Sequence, residues 1–255
     1  MVVGLDRFKE HFATFTDRYV LIGGAACFIN MDAAGLPFRA TKDLDIVLCI
    51  EALDDEFVQA FWQFVRDGAY EIQQNSEGEQ QFYRFQKPGT DGYPVMLELF
   101  SRELDQLAIA DDIHLTPIPA GEDISSLSAI LMDDDYYTFL QSGKKNIDGI
   151  EVAGAEHLIP LKARAWLDLT ERKAKDDKSV DSKHIKKHKL DVFRLMAIAD
   201  PDFKGDLPQQ VKDDIDAFIN GMEDENIDMK NVGLKGQKKE DILAEIARIY
   251  LDKEG

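Results

Sequence analysis

Two short stretches carry the residues best suited to chemistry. Asp43 and Asp45 stand two apart at the head of DLDIVLCI, an otherwise apolar run over residues 43–50. On a β-strand, residues i and i+2 point to one face, about 6.6 Å apart by strand rise. Two carboxylates so placed repel each other. At a ~4 Å approach and an effective dielectric near 20 the cost is about 4 kcal/mol. A divalent cation removes that cost and takes oxygen donors from both, and Mg²⁺ suits an all-oxygen site that works with phosphates. Upstream, Gly23-Gly24 follow the apolar run Tyr19 to Ile22 and precede a helical stretch, Ala25 to Met31. Glycines at such a junction let the backbone come close to a ligand. The amino end of the following helix favours an anion. Glu98, inside the apolar segment MLELF, adds a third carboxylate. Taken alone, an Asp-x-Asp pair is more often a solvated strand end, and a Gly-Gly pair says less. Their combination, each half preceded by a strand, is more specific.

The elements that must position these residues follow from periodicity. Leu5, Phe8, Phe12 and Phe15 recur at helical spacing. Tyr19 to Ile22 and Asp43 to Ile50 read as buried strands, and Phe57, Val58, Phe61, Trp62 and Val65 mark an amphipathic helix. Further strands are expected at Tyr70 to Ile72, Gln81 to Phe85, Val95 to Phe100 and Ser128 to Met132, with turns at Asn75 to Glu79 and Lys87 to Tyr93. A short helix is expected at Tyr136 to Leu140, and Ser142 to Gly149 reads as a polar loop. Beyond Ala155 the pattern is helical, with apolar faces on Leu158 to Leu169, Ile185 to Ile198, Leu207 to Ile219 and Ile242 to Ile249. Trp166, Phe193 and the phenylalanines of the first helix are expected in the core. The expected architecture is α/β (α+β): a mixed sheet with flanking helices over residues 1–153, then a helical domain over 154–255.

Composition bounds the function. The 255 residues hold 30 Lys+Arg against 49 Asp+Glu, a net charge of −19. A general nucleic-acid coat needs a basic footprint, which this balance excludes. Residues 172–189 depart from it, with eight Lys or Arg and three Asp, a local +5 that leaves −24 for the rest. No apolar run approaches the ~20 residues of a membrane span. The first residues lack an apolar signal core. Cys27 and Cys49 both lie in apolar runs and read as reduced core residues of a cytoplasmic protein.

The order Gly23-Gly24, Arg39, Thr41, Asp43-Leu44-Asp45 resembles the signature of the DNA polymerase β-type nucleotidyltransferase superfamily. Within it, the chain is similar to the AbiEii/AbiGii branch, the nucleotidyltransferase-like toxins of abortive-infection and type IV toxin–antitoxin systems. EHLIPLKARA, residues 156–165, is similar to that branch's lysine-bearing helix, and KHKLDVFRL, residues 187–195, to its Lys/His-then-Asp helix. The gap from Gly24 to Asp43 is longer than usual in the superfamily, and many members have Ser at the position of Gly24.

The resemblance implies a nucleotidyltransferase-fold catalytic domain and Mg²⁺-dependent transfer of a nucleoside monophosphate from a nucleoside triphosphate. The acceptor would be an RNA end, a protein hydroxyl or a small molecule. Asp43, Asp45 and Glu98 would hold the metal, two ions in all. Gly23, Gly24 and Thr41 would line the nucleotide. Lys162 would offset phosphate charge, with Lys187 and Asp191 also at the nucleotide. Arg172 to Lys189 would receive an RNA or tRNA acceptor, and an antitoxin would restrain the protein. The residues leave other readings open. Glu98 can face solvent on an edge strand, and Lys162 can be a plain helix-surface lysine. His184 and His188, at i and i+4, fit a shared metal or a solvated basic face. Asp191 is either catalytic or paired with Lys187. The rival functions are a non-catalytic nucleotide- or partner-binding module of the same fold and an antibiotic-type small-molecule adenylyltransferase.

Overall fold

A computed structural model describes residues 2–49, 52, 54–72, 82–100, 133–175, 177, 178 and 180–251. The expected turn at Asn75 to Glu79 and strand at Ser128 to Met132 lie outside the described residues. By internal contacts the chain divides into two compact units, one of Met1–Ala120 with Lys144–Ala153, the other of Gly121–Gly143 with Gly154–Gly255.

The first unit is built on a seven-stranded mixed sheet. Its strands are β1 (Tyr19–Ile22), β2 (Asp43–Leu48), β3 (Glu71–Ile72), β4 (Phe82–Gln86), β5 (Met96–Phe100), β6 (Lys144–Ile147) and β7 (Ile150–Ala153), in the spatial order β3-β4-β5-β2-β1-β7-β6. β2 runs antiparallel to β1 and parallel to β5, and β7 runs parallel to β1. The central strands are apolar because both faces are covered: Tyr19 to Ile22 are each fully buried. Helices α1 (Leu5–His11), α2 (Gly23–Ala33) and α3 (Asp55–Asp67) cover the sheet. α2 packs over β1, β2, β6 and β7. It is apolar nearly all round, and its buried Asn30 is satisfied by the carbonyls of Ala26 and Ala153. α3 is sharply amphipathic and is capped by Asp54, whose carboxylate accepts from the Phe57 N–H. Its Phe57, Phe61 and Phe64 interlock with Phe8, Phe12 and Tyr19 in an aromatic cluster.

One stretch departs from the sequence reading. Lys144 to Ile147, expected as loop, form edge strand β6, paired antiparallel with β7. Asp148 and Gly149 join them with φ of 49° and 79°. That is the positive-φ pair a two-residue hairpin demands, and Asp-Gly supplies it at little cost.

The second unit is helical: α4 (Asp134–Ser142), α5 (Ala155–Ala174), α6 (Ser182–Leu195), α7 (Gln209–Gly221) and α8 (Lys239–Leu251). α5 lies at its centre, packed against α4, α6 and α7, and α7 also packs on α8. Trp166 meets Phe218 edge-on, and Phe193 is fully buried. Buried Asp214 is held from two sides, by the Tyr136 hydroxyl at 2.7 Å and Arg164 Nη1 at 2.9 Å. No helix among the described residues is long and apolar enough to cross a membrane.

Candidate active site

The glycine pair and the Asp strand meet. β1 ends at Ile22, whose register partner on β2 is Asp45. The chain then turns into α2 through Gly23 at φ 66°, a left-handed conformation that glycine alone adopts freely. Space there also demands glycine: a Cβ on Gly23 would fall 1.6 Å from Asp45 Oδ2. A Cβ on Gly24 would stand 2.8 Å from Thr41 Oγ1 and 3.4 Å from an Arg39 nitrogen. Gly23, Gly24, Arg39, Thr41 and Asp45 therefore line one spot at the amino end of α2. Ile22 is extended and contributes no side-chain cap to that end, and the first turn carries no acidic residue. The Arg39 guanidinium also lies over the Phe38 ring, 5.2 Å from its centre.

Glu98 completes a row across the sheet. Parallel pairing of β2 with β5 sets Glu98 beside Asp45, and antiparallel pairing of β4 with β5 sets Arg84 beside Glu98. Ile22, Asp45, Glu98 and Arg84 thus occupy neighbouring positions on four adjacent strands. Glu98 is 6% exposed. Burial, then the nearby Asp45 carboxylate, push its carboxyl up to about 8, against the opposing pull of Arg84. Glu98 accepts from Arg84 Nε at 2.8 Å, and Arg84 Nη2 lies 2.8 Å from the same oxygen. Sequence spacing gives no sign of Arg84, because only the β4–β5 register brings it to Glu98. Asp43, two residues before Asp45 on β2, shares its strand face and is partly exposed.

The remaining expected site residues lie in the second unit. Lys162, on α5, is only 5% exposed. Among the described residues it has no hydrogen-bond or ion-pair partner. It is therefore no surface lysine. Lys187 and Asp191 are on α6, where Asp191 is fully buried and pairs with Arg194 at 2.9 Å. The basic island is partly neutralised within its own unit. Arg172 pairs with Asp168 and Asp177, Lys175 with Glu171, and Lys189 with Glu225. Lys178, Lys183 and Lys186 have no such partner among the described residues. Both cysteines are free and buried. Among the described residues, no three His, Cys, Asp or Glu cluster as a metal site.

No protein-family model matches the chain, and no curated protein matches it. Among solved structures, it is similar to an antigenic nucleotidyltransferase-like protein from Paracoccidioides brasiliensis, with 17% identity over 93% of this chain and 96% of that one and a TM-score of 0.44.

Proposed function

We propose that the chain is a nucleotidyltransferase that moves a nucleoside monophosphate from a nucleoside triphosphate to an acceptor. The observation that carries this reading is the approach of Gly23 and Gly24 to Asp45 and Thr41. It sets an uncapped helix end, which attracts phosphate, directly against a carboxylate strand. The donor chemistry suits a hard divalent cation: Asp45 and Glu98 are oxygen donors on neighbouring strands, and burial, then the Asp45 carboxylate, push the Glu98 carboxyl up to about 8. Asp43, Asp45 and Glu98 would hold Mg²⁺, which when bound polarises phosphoryl oxygens and offsets developing charge. The chain's own part is positioning. Gly23 and Gly24 admit the triphosphate and Arg39 and Thr41 border it; in the second unit, Lys162 offers a point charge to an anion.

The acceptor is an RNA end or a protein hydroxyl, and the cellular role that of a cytoplasmic toxin or defence protein restrained by an antitoxin. Lys178, Lys183 and Lys186, without ion-pair partners among the described residues, support an anionic acceptor. A second reading, nucleotide binding without turnover, is favoured by the engagement of Glu98 with Arg84.

The test is the double variant Asp43→Asn with Asp45→Asn, two nearly isosteric changes. It is expected to abolish transfer from labelled nucleoside triphosphates and to weaken Mg²⁺–nucleotide binding in calorimetry by tenfold or more. Unchanged affinity in the double variant sinks the assignment. Turnover absent from the parent too, with binding intact, supports the second reading.

A further inference from the structure

The carboxylate row carries a cation of its own. Arg84 Nε donates to a single oxygen of Glu98, Oε1, at 2.8 Å, and Arg84 Nη2 lies 2.8 Å from that same oxygen. A guanidinium more often spans both oxygens of a carboxylate as a fork. On its other side Glu98 meets the Asp45 carboxylate, its neighbour across the other strand pairing. The pair is poorly screened: the side chains are 22% exposed for Arg84 and 8% for Glu98. Neither can swing away cheaply, because both sit mid-strand in ladders that fix their backbones. We propose that Arg84 is a positioning residue and built-in counter-ion of the row, fixing how Glu98 is presented and the divalent-ion concentration at which the site fills. The inference rests on the nucleotidyltransferase reading and adds to it a threshold. An ion must bind against a resident positive charge, so free Mg²⁺ enters weakly, and entry is helped by the negative charge of an incoming triphosphate.

Arg84→Gln removes the charge and the Nε donor, and Arg84→Lys keeps the charge as a point without the planar guanidinium. Full-length parent and both variants are titrated with Mn²⁺, following the unfolding midpoint and, separately, calorimetric heat. Arg84→Gln is expected to reach half-saturation at about tenfold lower Mn²⁺, since a like charge beside the carboxylate row has gone. Arg84→Lys is expected to stay within about threefold of the parent. With Mn²⁺ and nucleoside triphosphate together, the gap between Arg84→Gln and the parent is expected to narrow. A purely structural arginine lowers the unfolding midpoint without Mn²⁺ and leaves half-saturation equal in all three proteins, which overturns the proposal. Weaker Mn²⁺ binding in Arg84→Gln overturns it as well. If the parent and Glu98→Gln alike ignore Mn²⁺, the metal reading itself has failed, an outcome distinct from the other two.

Discussion

At the scale of single residues, Gly23 is where backbone and chemistry constrain each other most. Its φ of 66° penalises any side chain, and its Cα faces the Asp45 carboxylate with no room for a methyl group. Gly35 offers a control, since it has φ 71° but nothing within 4 Å of where an added methyl would sit. Gly35→Ala is expected to cost about 1–2 kcal/mol, from the left-handed conformation alone. Gly23→Ala is expected to cost at least ~2 kcal/mol more, because the methyl overlaps Asp45, and to displace that carboxylate, lowering nucleotide affinity as well. Urea unfolding of the two variants checks this, and equal losses refute the close approach. The Gly pair and Asp43-x-Asp45 were legible in the chain because each is local: a strand-to-helix glycine, and two acids at strand period. Arg84 was not legible. Its partner lies 14 positions away, and only the antiparallel register of β4 on β5 brings the two together.

At the scale of elements, α5 carries a buried lysine where a helix core wants an apolar side chain. Lys162 is 5% exposed and has no ion-pair partner among the described residues, so a bound anion would offset the cost of holding its charge there. Lys162→Met keeps the length and removes the charge. It is expected to raise the thermal unfolding midpoint by a few degrees. It is expected at the same time to weaken triphosphate binding more than monophosphate binding, measured by calorimetry. A variant that is less stable, or that binds both nucleotides as the parent does, rules out an anion-binding role. Helical periodicity foretold α3 well, because it buries one apolar stripe, and it also found α5, whose opening turns are buried all round. It failed at β6, whose residues KKNI show no apolar alternation. An edge strand is held by backbone pairing and a turn, so its side chains need not advertise it. The Asp-Gly turn was the one local clue.

At the scale of the whole molecule, a chain of net charge −19 holds a basic stretch in which Arg172, Lys175 and Lys189 are ion-paired while Lys178, Lys183 and Lys186 have no such partner among the described residues. Should that stretch receive RNA, binding falls with log salt by roughly 0.7 per phosphate neutralised on a single strand. Replacing Lys178, Lys183 and Lys186 by Gln is expected to flatten that slope and reduce transfer to RNA, with nucleotide binding little changed. Equal RNA labelling by parent and variant at every salt concentration shifts the acceptor to a protein or small molecule. The parallel pairing of β7 with β1 has a different consequence, one of timing. β1 ends at residue 22 and β7 begins at residue 150. A ribosome adding roughly 5–20 residues per second therefore needs about 6–25 s between them. Throughout that interval β1, apolar on both faces, has one hydrogen-bonding edge with no strand yet made to close it, so the nascent chain carries an adhesive edge just beside Gly23 and Gly24.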